Sequence, residues 1–167
     1  SMSGELIVKY DKDYLQMDFP HRNPVISELP TNIYESLSIK PTEILKSRDY
    51  VLVYENEDQI KNIKIDKELF DKKNIDPGGV VITAKGNNSD FVSRYFVPQC
   101  SFFEDPVTGS THCSLVPYWS KKLGKQKLTS MQLSERGGEM FCIDKGDRVL
   151  INGKAQTYSV GEVFLKN

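Results

Sequence analysis

The side chains best suited to chemistry lie in one short run: Phe103, Glu104, Asp105, Pro106, Val107, Thr108, Gly109, Ser110, Thr111 and His112. Pro106 disfavours helix at the residue before it. Gly109 lets the backbone turn sharply or approach a ligand closely. Ser110 or Thr111 can cap a helix that follows. The first N–H groups of such a helix lack internal partners and, with the helix dipole, suit a carboxylate or phosphate. An acid beside an anion-binding turn makes chemical sense if it hydrogen-bonds a substrate amine or hydroxyl, or moves a proton. Taken alone, the run reads first as ordinary capping at a loop-to-helix junction. It is not a Walker loop, which needs a lysine and other glycine spacing. Nor is it a nucleophile elbow, which needs Gly-x-Ser-x-Gly.

The elements around this run must hold it in place. Residues 111–123 read as a helix stopped by Gly124, with Pro117 expected to kink or break it. Upstream, residues 91–97 alternate as a strand ended by Pro98, and residues 50–54 and 80–84 are further strands. Ile60, Ile63 and Ile65 suggest another. Short helical turns are expected at 31–37, after Pro41, and at 68–74. Downstream, strands are expected at 128–133, 139–143, 148–152 and 163–165, with a tight turn at Arg136, Gly137 and Gly138. Residues 6–19 read as a β-hairpin turning at 11–13, which must pack on something to be stable. Pro20, Pro24 and Pro30 mark an irregular linker, where a domain boundary is placed. Strands with one main helix point to an α+β fold.

Composition excludes several classes. The 167 residues carry 22 basic and 23 acidic side chains, a net charge of −1, with the basic residues dispersed. Neither a nucleic acid nor an anionic membrane is an expected partner. No stretch approaches the ~18 apolar residues of a membrane span. Three widely spaced cysteines, Cys100, Cys113 and Cys142, suggest a reducing cytoplasm rather than a disulfide framework. No cysteine pair has metal-ligand spacing, and His21 and His112 are far apart, so no metal site is expected. Arg94, between apolar strand neighbours, suggests a strand-face ion pair. His112 reads as a helix residue making an ordinary hydrogen bond, and Tyr118 and Trp119 as core or interface. Arg136 could hold a carboxylate near Asp105, but a hairpin turn needing positive φ at glycine is preferred.

Four stretches occur together from residue 90 to residue 155. They are the run from Asp90 to Pro98; Glu104 to His112; Leu115, Val116, Pro117, Tyr118, Trp119 with Leu123 and Gly124; and Gln132 to Gly138 followed by Asp147, Arg148, Val149 and Gly153, Lys154, Ala155. In this order they resemble the PhzF-like (phenazine biosynthesis-like) isomerase family. The hairpin ending Asp18, Phe19, Pro20 is similar to that family's link between its two halves.

The resemblance implies the diaminopimelate epimerase-like fold, in which each of two α/β halves wraps sheet around a central helix and the ligand lies between them. It implies cofactor-free isomerisation of a small carboxylic acid; the family's named member acts on 2,3-dihydro-3-hydroxyanthranilate. Asp105 and Ser110 are carried over as catalytic residues, and Thr108, Gly109, Ser110 and Thr111 as substrate-binding residues. The family's first half supplies a catalytic glutamate and a Gly-His-Ala-Thr turn. That turn is absent from this sequence. A two-thiol racemase is disfavoured, because Thr108 stands where a cysteine is needed.

The expectation is therefore a C-terminal half of such an isomerase. Residues 1–20 would be a cloning scar at Ser1 plus a hairpin remnant of the first half, and residues 21–167 the C-terminal domain. Whether this chain acts alone is left open. The alternative is a non-catalytic small-acid binder or self-assembling module. Self-association is expected, because an inner face that a partner half covers should be apolar.

Overall fold

The predicted hairpin is present. Strands β1 (Ile7–Asp11) and β2 (Tyr14–Pro20) pair antiparallel, Val8 opposite Met17 and Tyr10 opposite Leu15. The computed structural model describes residues 5, 7–11, 13–75 and 78–164, so Leu6 and Lys12 of that prediction lie outside the described residues. The hairpin is docked: β2 pairs antiparallel with β11 (Arg148–Gly153), placing Met17 opposite Ile151.

From β11 the sheet continues through β10 (Gly138–Asp144), β9 (Lys127–Gln132), β7 (Phe91–Phe96), β6 (Val80–Lys85), β5 (Tyr50–Val53) and β4 (Glu43–Lys46) to the short edge β3 (Val25–Ile26). A two-residue strand, β8 (Glu104–Asp105), pairs with β7 off this path. Pairing is antiparallel except between β5 and β6 and between β7 and β9. The β7–β9 pair is parallel because helix α4 (His112–Leu123) carries the chain back between them. The result is a mixed α+β fold with a large mixed sheet and few helices.

Both faces of the sheet's middle are covered, which explains why β5 is apolar throughout and β6 is buried from Val80 to Ala84. Val51, Val53 and Val81 face a core that includes Leu115, Val116 and Trp119 of α4, with Leu128, Met140, Val149 and Ile151 from β9–β11. Tyr50, Leu52, Val80 and Ile82 face the opposite core, against α1 (Thr31–Ser36), α2 (Glu57–Asn62) and α3 (Lys67–Phe70). Period-two alternation along each strand divides the residues between the cores. Trp119 stacks on Phe91 at 5.9 Å, and its indole N–H donates to Thr83 Oγ1 at 2.9 Å.

Several expectations need correction. Ile60 and Ile63 are not in a strand: Asn56 caps α2 by accepting the Gln59 N–H, and both isoleucines point into the core. Glu43 opens strand β4 rather than a helical turn, and the helix expected at 68–74 is the single turn α3, capped by Asp66. Val163 and Phe164 form no strand, and Leu165 lies outside the described residues. Helix α4 does not break at Pro117. Proline cannot donate to the Cys113 carbonyl, and the Arg22 N–H takes that acceptor at 2.9 Å. The helix ends as expected, at Gly124 with φ +66°.

Val8 and Tyr10 of β1 are exposed, as are Tyr158, Val160, Val163 and Phe164 beyond β11. Among the described residues no helix is long and apolar enough to cross a membrane.

Candidate active site

Pairing of β8 with β7 sets the direction of the two acids. Glu104 lies opposite Phe96 and Asp105 opposite Tyr95, so their side chains take opposite faces. Glu104 is committed to Arg94, through Nε at 2.7 Å and Nη2 at 2.8 Å. The strand-face ion pair expected of Arg94 is thus found, and Asp105 is left as the acid of the turn.

Asp105 is held by a compact network. Its Oδ2 accepts the Thr108 hydroxyl at 2.6 Å, while Oδ1 has no partner among the described residues. Gln132, at the end of β9 and buried, uses its whole side-chain amide on the turn. Nε2 donates to the Asp105 carbonyl at 2.7 Å and to Thr108 Oγ1 at 3.2 Å, and Oε1 accepts the Thr108 N–H at 2.8 Å. The Thr108 carbonyl accepts the Thr111 hydroxyl at 3.0 Å and bonds to His112 Nδ1 at 2.9 Å. A carbonyl only accepts, so Nδ1 carries the proton, and Nε2 accepts the Ser130 hydroxyl at 2.8 Å. His112 is fully buried, and burial pulls its pKa down to about 4, so the ring is neutral. Its role is the ordinary hydrogen bonding expected of it.

The unpaired amides lie at the start of the turn, on Gly109, Ser110 and Thr111. His112, Cys113 and Ser114 N–H groups bond to the Gly109, Ser110 and Thr111 carbonyls at 3.1, 3.3 and 3.0 Å. No side chain caps α4; the Thr111 hydroxyl turns back to Thr108 instead. The N–H groups of Gly109, Ser110 and Thr111, and the Ser110 hydroxyl, have no partner among the described residues. Gly109 does not take positive φ. A Cβ there would meet only Met17 and Phe19, both at 4.0 Å, so its bare face is open. That face lines a cavity of about 720 Å³ walled by β2, β10 and the 136–138 turn. Asp105 and Ser110 are not among its lining residues.

The 133–137 connection is fastened to the same turn. Ser134 Oγ donates to the Pro106 carbonyl at 2.6 Å and accepts the Gly137 N–H at 3.1 Å. Gly137 has φ +70°, the conformation expected of a tight turn. A Cβ on Gly138 would lie 2.4 Å from Val107 Cγ2, so glycine is required for this approach. Cys113 is buried on α4, and burial raises its thiol pKa, as suits a packed rather than reactive cysteine. Among the described residues no cluster of three or more His, Cys, Asp or Glu could hold a metal.

Sequence reasoning gave Gln132 and Ser134 no role. A signal was present for Gln132: it shares a strand face with Leu128 and Ser130, so it had to be buried and its amide needed partners.

The family model described as phenazine biosynthesis-like protein matches residues 26–161. The chain belongs to the phenazine biosynthesis-like family. Within that family it is 42% identical over 163 residues to one Pseudomonas aeruginosa protein named an uncharacterized isomerase, covering 98% of this chain and 62% of that protein. A second so named from the same organism is 39% identical over 166 residues, covering 99% and 63%. The crystal structure of a phenazine biosynthesis PhzC/PhzF protein from Clostridium difficile superposes with a TM-score of 0.84 at 39% identity, covering 98% of this chain and 62% of that one. The chain thus spans about three fifths of the length of these relatives.

Proposed function

We propose that this chain supplies one side of a cofactor-independent isomerase site that moves a proton on a small carboxylic acid. The observation that carries the reading is the row of unpaired amides on Gly109, Ser110 and Thr111 beside an acid held by Thr108 and Gln132. Two relatives named as isomerases support the reaction class.

In this reading Asp105 is the general acid–base group. Thr108 donates to Oδ2, which fixes the carboxylate and leaves Oδ1 for a substrate amine, hydroxyl or proton. Gly109, Ser110 and Thr111 direct N–H groups at a carboxylate, or at the charge that develops as the proton leaves, and the Ser110 hydroxyl adds a fourth donor. Thr108 acts from within the turn, since its N–H, hydroxyl and carbonyl are all engaged inside the protein. The diaminopimelate epimerase-like arrangement, with α4 as the helix aimed at the ligand, belongs to the same proposal. It is supported by one core that joins α4 to β4–β7 and β9–β11. A second half would then supply the opposing acid.

Solvent exchange tests the reaction. In deuterium oxide the protein should incorporate deuterium at carbon into its acid substrate, and Asp105→Asn should slow this at least 100-fold. Equal incorporation by the Asn variant removes Asp105 from the chemistry.

A further inference from the structure

We infer that Arg136 anchors the carboxylate of the ligand in the cavity beside Gly109, so that the site selects acids over their neutral amides. The inference rests on the acid-binding reading above and adds to it the residue that sets ligand charge.

Arg136 is exposed, and its guanidinium has no hydrogen bond or ion pair among the described residues. It lines the cavity of about 720 Å³ that Gly109 also lines, and a neighbouring one of about 420 Å³ bordered by Glu104, Pro106, Ser134 and Glu135. It therefore stands at the junction of the two hollows that flank the turn.

Its mounting is fixed. Ser134 ties the loop to Pro106, Gly137 sets the turn, and Gly138 packs on Val107 without room for a side chain. The loop that carries Arg136 is thus latched to the segment that carries Asp105 and Gly109. An arginine held loosely would lose much of its advantage in ordering entropy. Here only its own side chain has to be ordered on binding.

Charge points the same way. The charged residues on the larger cavity's wall are Arg136, Lys154 and Glu139. Lys154 lies over the Tyr14 ring at 5.5 Å, at the cavity's other side. The wall is therefore net positive, and the rest is mainly apolar, including Leu15, Met17 and Phe141. That combination fits a compact acid with an apolar or cyclic body. Guanidinium is the cation best matched to a carboxylate, by two parallel N–H bonds.

The test is a titration of the 15N-labelled chain with sodium benzoate and, separately, with benzamide, for the protein as it is and for R136K and R136Q. Benzoate should move the Gly109 amide in all three. Its affinity should fall at least 10-fold in R136Q and less in R136K, and benzamide should bind the three alike. Equal benzoate affinity in the unaltered chain and R136Q, with Gly109 still shifting, overturns the anchor and leaves the acid-binding turn standing. No shift at Gly109 in the unaltered chain overturns both.

Discussion

Gln132 closes a ring of hydrogen bonds with Thr108, accepting its N–H at 2.8 Å and donating to its hydroxyl at 3.2 Å. The hydroxyl donates its own hydrogen bond to Asp105 Oδ2, so a buried amide on β9 orients an acid 27 positions away in sequence.

Replacing Gln132 by Leu keeps the volume close and removes every bond. The Thr108 N–H and the Asp105 carbonyl then lose their partners in a buried place. Urea unfolding should show a loss of about 2–4 kcal/mol. A loss below about 0.5 kcal/mol, the usual range for a neutral surface change, would mean that water or another group takes over these bonds.

Gly138→Ala should be destabilising for a steric reason alone. The added methyl would sit 2.4 Å from Val107 Cγ2, and overpacking of this kind costs about 1–3 kcal/mol. Val107→Ala should recover part of that loss in the double variant, measured as a coupling in a thermodynamic cycle. Additive losses would show that the contact is not the cause.

His112 makes stability depend on pH. Burial lowers its folded pKa to about 4 from the ordinary histidine value of about 6.5. Between those values the unfolded chain binds the extra proton, so stability rises with pH there and falls as the solution is acidified. The full difference is roughly 3 kcal/mol. It is intact above about pH 6.5 and lost on descent toward pH 4. The imidazole nitrogen shifts should report a neutral ring protonated at Nδ1 down to pH 5. A titration midpoint near 6.5 would contradict the burial argument.

Val8 and Tyr10, exposed on β1, together with exposed Tyr158 and Phe164, predict self-association. Sedimentation velocity should show species larger than the monomer at micromolar concentration, with V8K/Y10K shifting the distribution to monomer. A monodisperse monomer of the unaltered chain contradicts this.

Much of this was legible from side-chain pattern. The hairpin, the β5, β6 and β7 strands, the Gly124 stop and the Arg94 ion pair all follow from local periodicity or punctuation. The errors have physical sources. Ile60, Ile63 and Ile65 suit a strand, yet the Asn56 cap and burial of Ile60 on one helical face favour α2. Continuation of α4 through Pro117 goes with Arg22, 91 positions before Cys113 in the sequence, supplying a donor to the Cys113 carbonyl. The candidate turn was visible as residue types. That no side chain caps α4, the Thr111 hydroxyl turning back to the Thr108 carbonyl instead, was not, because that contact depends on how the turn folds back on itself.

The most direct test of the central claim is an amide titration of the 15N-labelled chain with sodium 3-hydroxybenzoate. Saturable shifts centred on Gly109, Ser110 and Thr111, weakened by Ser110→Ala, are the expected result. Saturable shifts confined to another surface, or none at those amides, would contradict it.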